Sequence, residues 1–169
     1  MTAEPSDPRV LSLFDAEAVE VGADCRRWVP VRRSLGIGAF GVNAYRADSG
    51  EAVIEDHVES PGQEELYVVL CGRVEFSVGD ERFALDAGEA IFVAEPETRR
   101  GAIAREDDTA VLAIGGWRER PYHSLPWEPI YLSDRAFRNK EWAEAVRILE
   151  REAAEHRGNP SFVTASPVA

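Results

Sequence analysis

Cysteine is nearly absent: Cys25 and Cys71 are the two in 169 residues. Two thiols so far apart make neither a disulfide framework nor a Cys-x-x-Cys knuckle. Cys71, inside an apolar stretch, is expected to pack as a small hydrophobe. Lysine is rarer still, with Lys140 the single lysine among 19 basic residues. That arginine bias reads as codon usage in a GC-rich bacterial genome. The net charge is −12, which argues against nucleic acid or an anionic membrane surface as a partner. No apolar run has the length of a membrane span. The first eight residues lack a basic region followed by an apolar core, so they do not read as a signal peptide. A cytoplasmic protein is expected. Also missing are a nucleophile motif, a phosphate-binding glycine loop and a second His/Cys cluster. Of the three histidines, His123 and His156 read as surface residues, which leaves His57.

The remainder of the composition is that of one globular chain, 44% hydrophobic and 30% charged. Residues 1–9 are polar and expected to be disordered. Residues 11–21 are expected to form a short helix capped by Ser12 or Asp15. Trp28 to Val31 should be extended, because the residue before a proline avoids the helical region. Residues 36–45 read as a strand rich in glycine. From residue 52 to 116 short strands follow one another: 52–59, 65–71, 73–78, 81–85, 90–94, 99–104 and 109–114. Turns separate them, with Gly79-Asp80 a two-residue hairpin loop. The 90–94 strand, wholly apolar, is expected to be buried. Such a run without intervening helices predicts an all-β antiparallel sandwich or barrel.

After Gly116 the pattern changes to a proline-containing loop and then to helical spacing from about residue 127 to 157, broken near Asn139. Trp142, Ala145, Val146, Leu149 and Ala153 fall on one helical face. This segment resembles a single tetratricopeptide-like hairpin. One such unit cannot cover its own apolar face, so it is expected to pack on the barrel or on a partner subunit.

The chemistry gathers around His57-Val58-Glu59 and, after a turn, Glu64-Glu65-Leu66-Tyr67. Alternate residues of a strand share a face, so His57 and Glu59 are expected to point the same way. The order resembles the first motif of the cupin superfamily, His-x-His followed by Glu, six residues and Gly. His57 takes the first histidine slot, Glu59 the second, and Glu65 and Gly72 keep the last spacing. The second cupin motif is echoed from Gly88 to about Arg100, with its histidine slot falling on Arg99 or Arg100. The resemblance covers roughly residues 38–116. It implies a small antiparallel jelly-roll barrel with a C-terminal α-helical appendage. The expected organisation is an N-terminal arm and short helix (1–36), the barrel (37–117), a loop and helical hairpin packed on it (118–157) and a flexible tail (158–169).

By the spacing to Gly72, Glu65 faces inward with Tyr67 and Val69, and Glu64 is solvated. Two carboxylates side by side need a cation. A metal held by His57, Glu59 and Glu65 would suit Mn²⁺, Fe²⁺ or Zn²⁺. An arginine forked onto Glu59 or Glu65 is the simpler way to neutralise the pair, so a metal-poor pocket is expected. At about 5 Å such an arginine would repel a divalent ion by roughly 6–7 kcal/mol at an effective dielectric near 20. Strand alternation puts one of Arg99 and Arg100 inside and leaves open which. The expected function is binding of a small molecule in a pocket of His57, Glu59, Glu65, Tyr67 and an arginine. Two alternatives stand beside it: a metal-dependent oxygenase or isomerase, and an interaction module using the C-terminal helices. A homodimer is expected.

Overall fold

A computed structural model of the chain describes residues 8–21, 26–122 and 127–155. Its elements in order are β1 (Val19–Val21), β2 (Arg26–Val29), α1 (Val31–Leu35), β3 (Gly41–Ala47), β4 (Ala52–His57), β5 (Gln63–Cys71), β6 (Arg73–Val78), β7 (Glu81–Asp86), β8 (Ala90–Val93), β9 (Arg100–Ala104), β10 (Thr109–Trp117), α2 (Trp127–Arg138) and α3 (Trp142–Glu155). The strands form a six-stranded sheet, ordered β1-β2-β3-β10-β5-β8, and a four-stranded sheet, ordered β4-β9-β6-β7. All pairings are antiparallel. The jelly roll is therefore two facing sheets among the described residues, not a barrel closed by hydrogen bonds.

Period-two patterning decides where the core lies. Tyr67, Val69, Val93, Val111 and Ala113 from one sheet meet Val53, Ile54, Val74, Phe76, Ala102 and Ala104 from the other. Each such side chain, moved from water to the interior, contributes about 1.5–3 kcal/mol when it is as large as valine or phenylalanine. The opposite parity of β3 and β10, namely Val42, Ala44, Leu112 and Ile114, packs with Val29, Val31, Leu11, Leu13, Leu35 and Ile37. The N-terminal segment thus covers the outer face of the six-stranded sheet.

Three expectations change here. Residues 11–21 are not a helix: Ser12 Oγ accepts the Asp15 amide in one isolated turn, and Val19 and Val21 are buried around exposed Glu20 as a strand. Alternation of β-branched residues outweighs a weak helical pattern. Val31 is not extended, because Pro30 opens α1, whose Ser34 amide donates to the Pro30 carbonyl at 3.0 Å. The apolar β8 is buried only at Val93. It pairs only with β5 at a sheet edge, and Phe92 is 56% exposed.

The chain divides into two compact units, one ending at residue 123 and one starting at residue 124. In the second, α2 and α3 are joined by a tight turn at Lys140 (φ +63°). Phe137 and Trp142 meet edge to face with centroids 4.7 Å apart. On the predicted apolar face Ala145 is buried, whereas Trp142, Val146 and Leu149 are exposed.

Candidate functional site

His57 is the last residue of β4 and sits in register with Arg100 of β9. Glu59 lies beyond the strand, but its amide donates to the Pro96 carbonyl at 2.8 Å, which fixes its backbone. The chain then turns at Gly62 (φ +81°) and enters β5. There Gln63, Glu65, Tyr67 and Val69 are buried in strict alternation. Glu65 therefore faces inward with Tyr67, as the spacing to Gly72 predicts. Glu64, on the other parity, is paired with Arg118.

His57 Nε2 stands 3.2 Å from Glu59 Oε1 and 3.6 Å from Glu65 Oε2. Its Nδ1–H donates to the Glu55 carbonyl at 2.7 Å, which turns Nε2 toward both carboxylates. Tyr67 donates its hydroxyl hydrogen to Glu65 Oε2. Burial alone would lower the His57 pKa. The hydrogen bonds to Glu59 and Glu65 outweigh it and push the group up to about 10. Burial would likewise raise Glu59, yet its bond to His57 brings it below the ordinary carboxylate value. Burial, with Glu65 alongside, pushes Tyr67 well above the usual phenol range.

The arginines behave otherwise than expected. Arg100 is the inward one and fully buried. Its guanidinium donates to the carbonyl oxygens of Glu95 (2.7 Å) and Pro96 (3.2 Å) and is not forked onto Glu59 or Glu65. The turn before β9 brings those carbonyls to the place where the carboxylates were expected. Arg99 points outward and pairs with Asp56 at 2.8 Å. Cys71 is exposed at the end of β5 and not packed in the core. Cys25, His123 and His156 lie outside the described residues.

Two further side chains share this interior face. Gln63 is 3% exposed and Asn43 8% exposed. The buried alternation of β5 extends to Gln63, a residue that turn chemistry assigns to the preceding loop. Asn43 is the one polar residue in an otherwise apolar stretch of β3. Gly115, in register with Glu65, lies directly beneath the side chains of Gln63 and Glu65. A Cβ there would lie 3.3 Å from both Gln63 Nε2 and Glu65 Cγ.

The donor set has the chemistry of a divalent-metal site. One imidazole nitrogen and two carboxylate oxygens lie within 4.8 Å of one another. The imidazole is oriented through its other nitrogen and one carboxylate through a phenol, as outer hydrogen bonds commonly orient metal ligands.

Residues 45–115 match the family model described as a cupin domain. No curated protein matches the chain. Among solved structures, a predicted oxalate decarboxylase from Thermotoga maritima is 16% identical, with TM-score 0.54, over 64% of this chain and 99% of that one. A sugar phosphate isomerase from a cupin superfamily, from Silicibacter pomeroyi, is 18% identical, with TM-score 0.53, over 63% of this chain and 74% of that one. At such identities the likeness is one of fold. The matched segment and the two-sheet jelly roll together show a cupin domain over residues 45–115.

Proposed function

We propose that this cupin domain binds a small molecule between its two sheets at a divalent metal ion held by His57 Nε2, Glu59 and Glu65. The observation that carries the reading is the convergence of those three donors, with Nδ1 of His57 already committed to a backbone carbonyl. Arg100 does not occupy the carboxylates: its guanidinium is bonded to the Glu95 and Pro96 carbonyls. An ion bound there would take the place of the His57 proton between Glu59 and Glu65. Mn²⁺, Fe²⁺ and Zn²⁺ all accept one nitrogen and two oxygens. When bound, the ion would polarise an oxygen of the ligand. Tyr67 would hold Glu65 in its orientation, and the Glu55 carbonyl would hold His57.

The test is calorimetric titration of chelator-treated protein with Mn²⁺ and Zn²⁺. Stoichiometric binding, weakened at least tenfold in His57→Ala and in Glu65→Gln, is the expected result. Binding that is absent, or unchanged in both variants, would overturn the metal centre. The same reading takes residues 37–117 as the ligand-binding body and the helices as an accessory, in a homodimer.

A further inference from the structure

A strand at the end of a sheet presents unpaired amides and carbonyls, and native chains usually blunt it with charge. Among the described residues the two sheets end on four strands, β1, β8, β4 and β7. Three of them are blunted. β1 carries Glu20, β4 carries Glu55 and Asp56, and β7 carries Glu81, Arg82 and Asp86. β8, which reads Ala90-Ile91-Phe92-Val93, has neither charge nor proline.

The pairing with β5 fixes which groups of β8 are free. The Val69 amide donates to the Glu89 carbonyl, and the Gly88 amide donates to the Val69 carbonyl. Bonded and unbonded pairs alternate along an antiparallel ladder, so the backbone groups of Ile91 and Val93 point to β5. Those of Ala90 and Phe92 face the open edge. The side chains of these two residues lie on the outer face of the sheet. Phe92 is opposite Leu66, and Leu66 is opposite Ile114 of the outer cluster. Phe92 and Ala90 are both exposed.

These features select one occupant. The chain has a net charge of −12, so two copies repel wherever their charged surfaces meet. An uncharged strand is where they can approach, and a basic partner would find no charge on β8 to hold. A strand paired antiparallel with its own copy is closed by a twofold axis, so one contact uses up the open edge of both. With the axis through Ile91, Phe92 of each copy lies opposite Ala90 of the other. The ring then covers the small side chain, and the free backbone groups of both residues are paired. Glu89 falls opposite Val93. An axis through Phe92 would instead set Glu89 against Glu95, a destabilising like-charge pair.

Resting on the homodimer reading, we infer that its interface is β8 laid antiparallel against β8 of a second copy. The two six-stranded sheets join edge to edge as one continuous sheet.

The test is sedimentation equilibrium of the full chain and two variants at tens of micromolar. Phe92→Glu puts a charge on the open edge and should raise the dimer dissociation constant at least tenfold. Leu149→Glu, on the exposed face of α3, should leave it unchanged. Both positions are exposed, so both variants should keep the far-ultraviolet spectrum of the parent. Crosslinking reads the register. In a chain carrying Cys25→Ser and Cys71→Ser, Ile91→Cys brings two Cα atoms to about 4.5 Å across the axis, within disulfide reach. Mild oxidation should join the copies, whereas Glu20→Cys on β1 should stay unjoined. Dimers that survive Phe92→Glu, dissociate with Leu149→Glu or resist the Ile91→Cys crosslink would overturn the β8 interface and leave the homodimer standing. A parent chain with the mass of one copy removes both.

Discussion

His57 carries the clearest pH signature of any side chain in the site. Its folded value of about 10 lies above the ordinary 6.5. The imidazolium's bonds to Glu59 and Glu65 therefore stabilise the metal-free fold fully below about pH 6.5, and that stabilisation is lost as pH rises through 10. On the acid side the lowered Glu59 makes the same bond fade as pH falls below the ordinary carboxylate value of 4.5. In chelated protein the denaturant midpoint should fall from pH 7 to pH 10, and His57→Gln should flatten that slope. Parallel slopes in parent and variant would show that His57 is not the group responsible. The arginines give a second contrast. Arg100→Ala removes two charge-assisted hydrogen bonds from a fully buried place and should cost about 2–4 kcal/mol. Carbonyl acceptors do not titrate, so acidification should not restore it, as it would if the partners were carboxylates. Arg99→Ala breaks an exposed pair and should cost less than about 0.5 kcal/mol. Equal losses by urea melts would contradict the assigned parity.

At the level of single elements, the β5–β6 turn is the least forgiving. Gly72 has φ +74°, and a Cβ on it would lie 2.4 Å from Thr109 Oγ1 and 3.0 Å from Thr109 Cα. Thr109 is itself fully buried, so neither side can retreat. Gly72→Ala should destabilise by about 2–4 kcal/mol, combining left-handed strain with a clash against backbone. A melt within about 0.5 kcal/mol of the parent would refute the turn geometry. Gly50, with φ +88° and nothing within 4 Å of its Cβ position, carries the strain without the clash. Gly50→Ala should therefore cost about 1 kcal/mol, so that the pair of variants separates the two effects.

The chain has two compact units, and among the described residues the two large clusters of buried apolar side chains lie in the first. A chain ending at residue 123 should keep the far-ultraviolet spectrum of a β-protein and a cooperative melt. Precipitation or loss of cooperativity would mean that the helices are needed to complete the fold. The homodimer reading is checked by sedimentation equilibrium, where the mass should be twice the 18.7 kDa of one chain at tens of micromolar. A mass of one chain would remove it. No described helix is long and apolar enough to cross a membrane.

What the residue order alone determined is whatever depends on local period and punctuation. The short strands from residue 52 to 117, the Gly79-Asp80 hairpin and the break between two C-terminal helices follow from alternation, turn residues and helical spacing, and the inward parity of Glu65 and Tyr67 from the cupin-like spacing to Gly72. His57 and the two glutamates were legible because strand spacing and the cupin-like order both bring them to neighbouring strand ends. Tertiary structure decided everything that depends on which strand lies beside which. β8 looks buried by composition and is buried only at Val93 because it is an edge. Arg100 looks like a partner for carboxylates and is bound by carbonyl oxygens, because the turn before β9 folds back over it. Asn43 and Gln63 were passed over because a single amide in a strand has no spacing signature. They join the site only when β10, with alanine and glycine at the crossing rows, is laid between β3 and β5. Side-chain periodicity is a property of one strand, whereas a pocket belongs to several strands at once, and only the register between them supplies it.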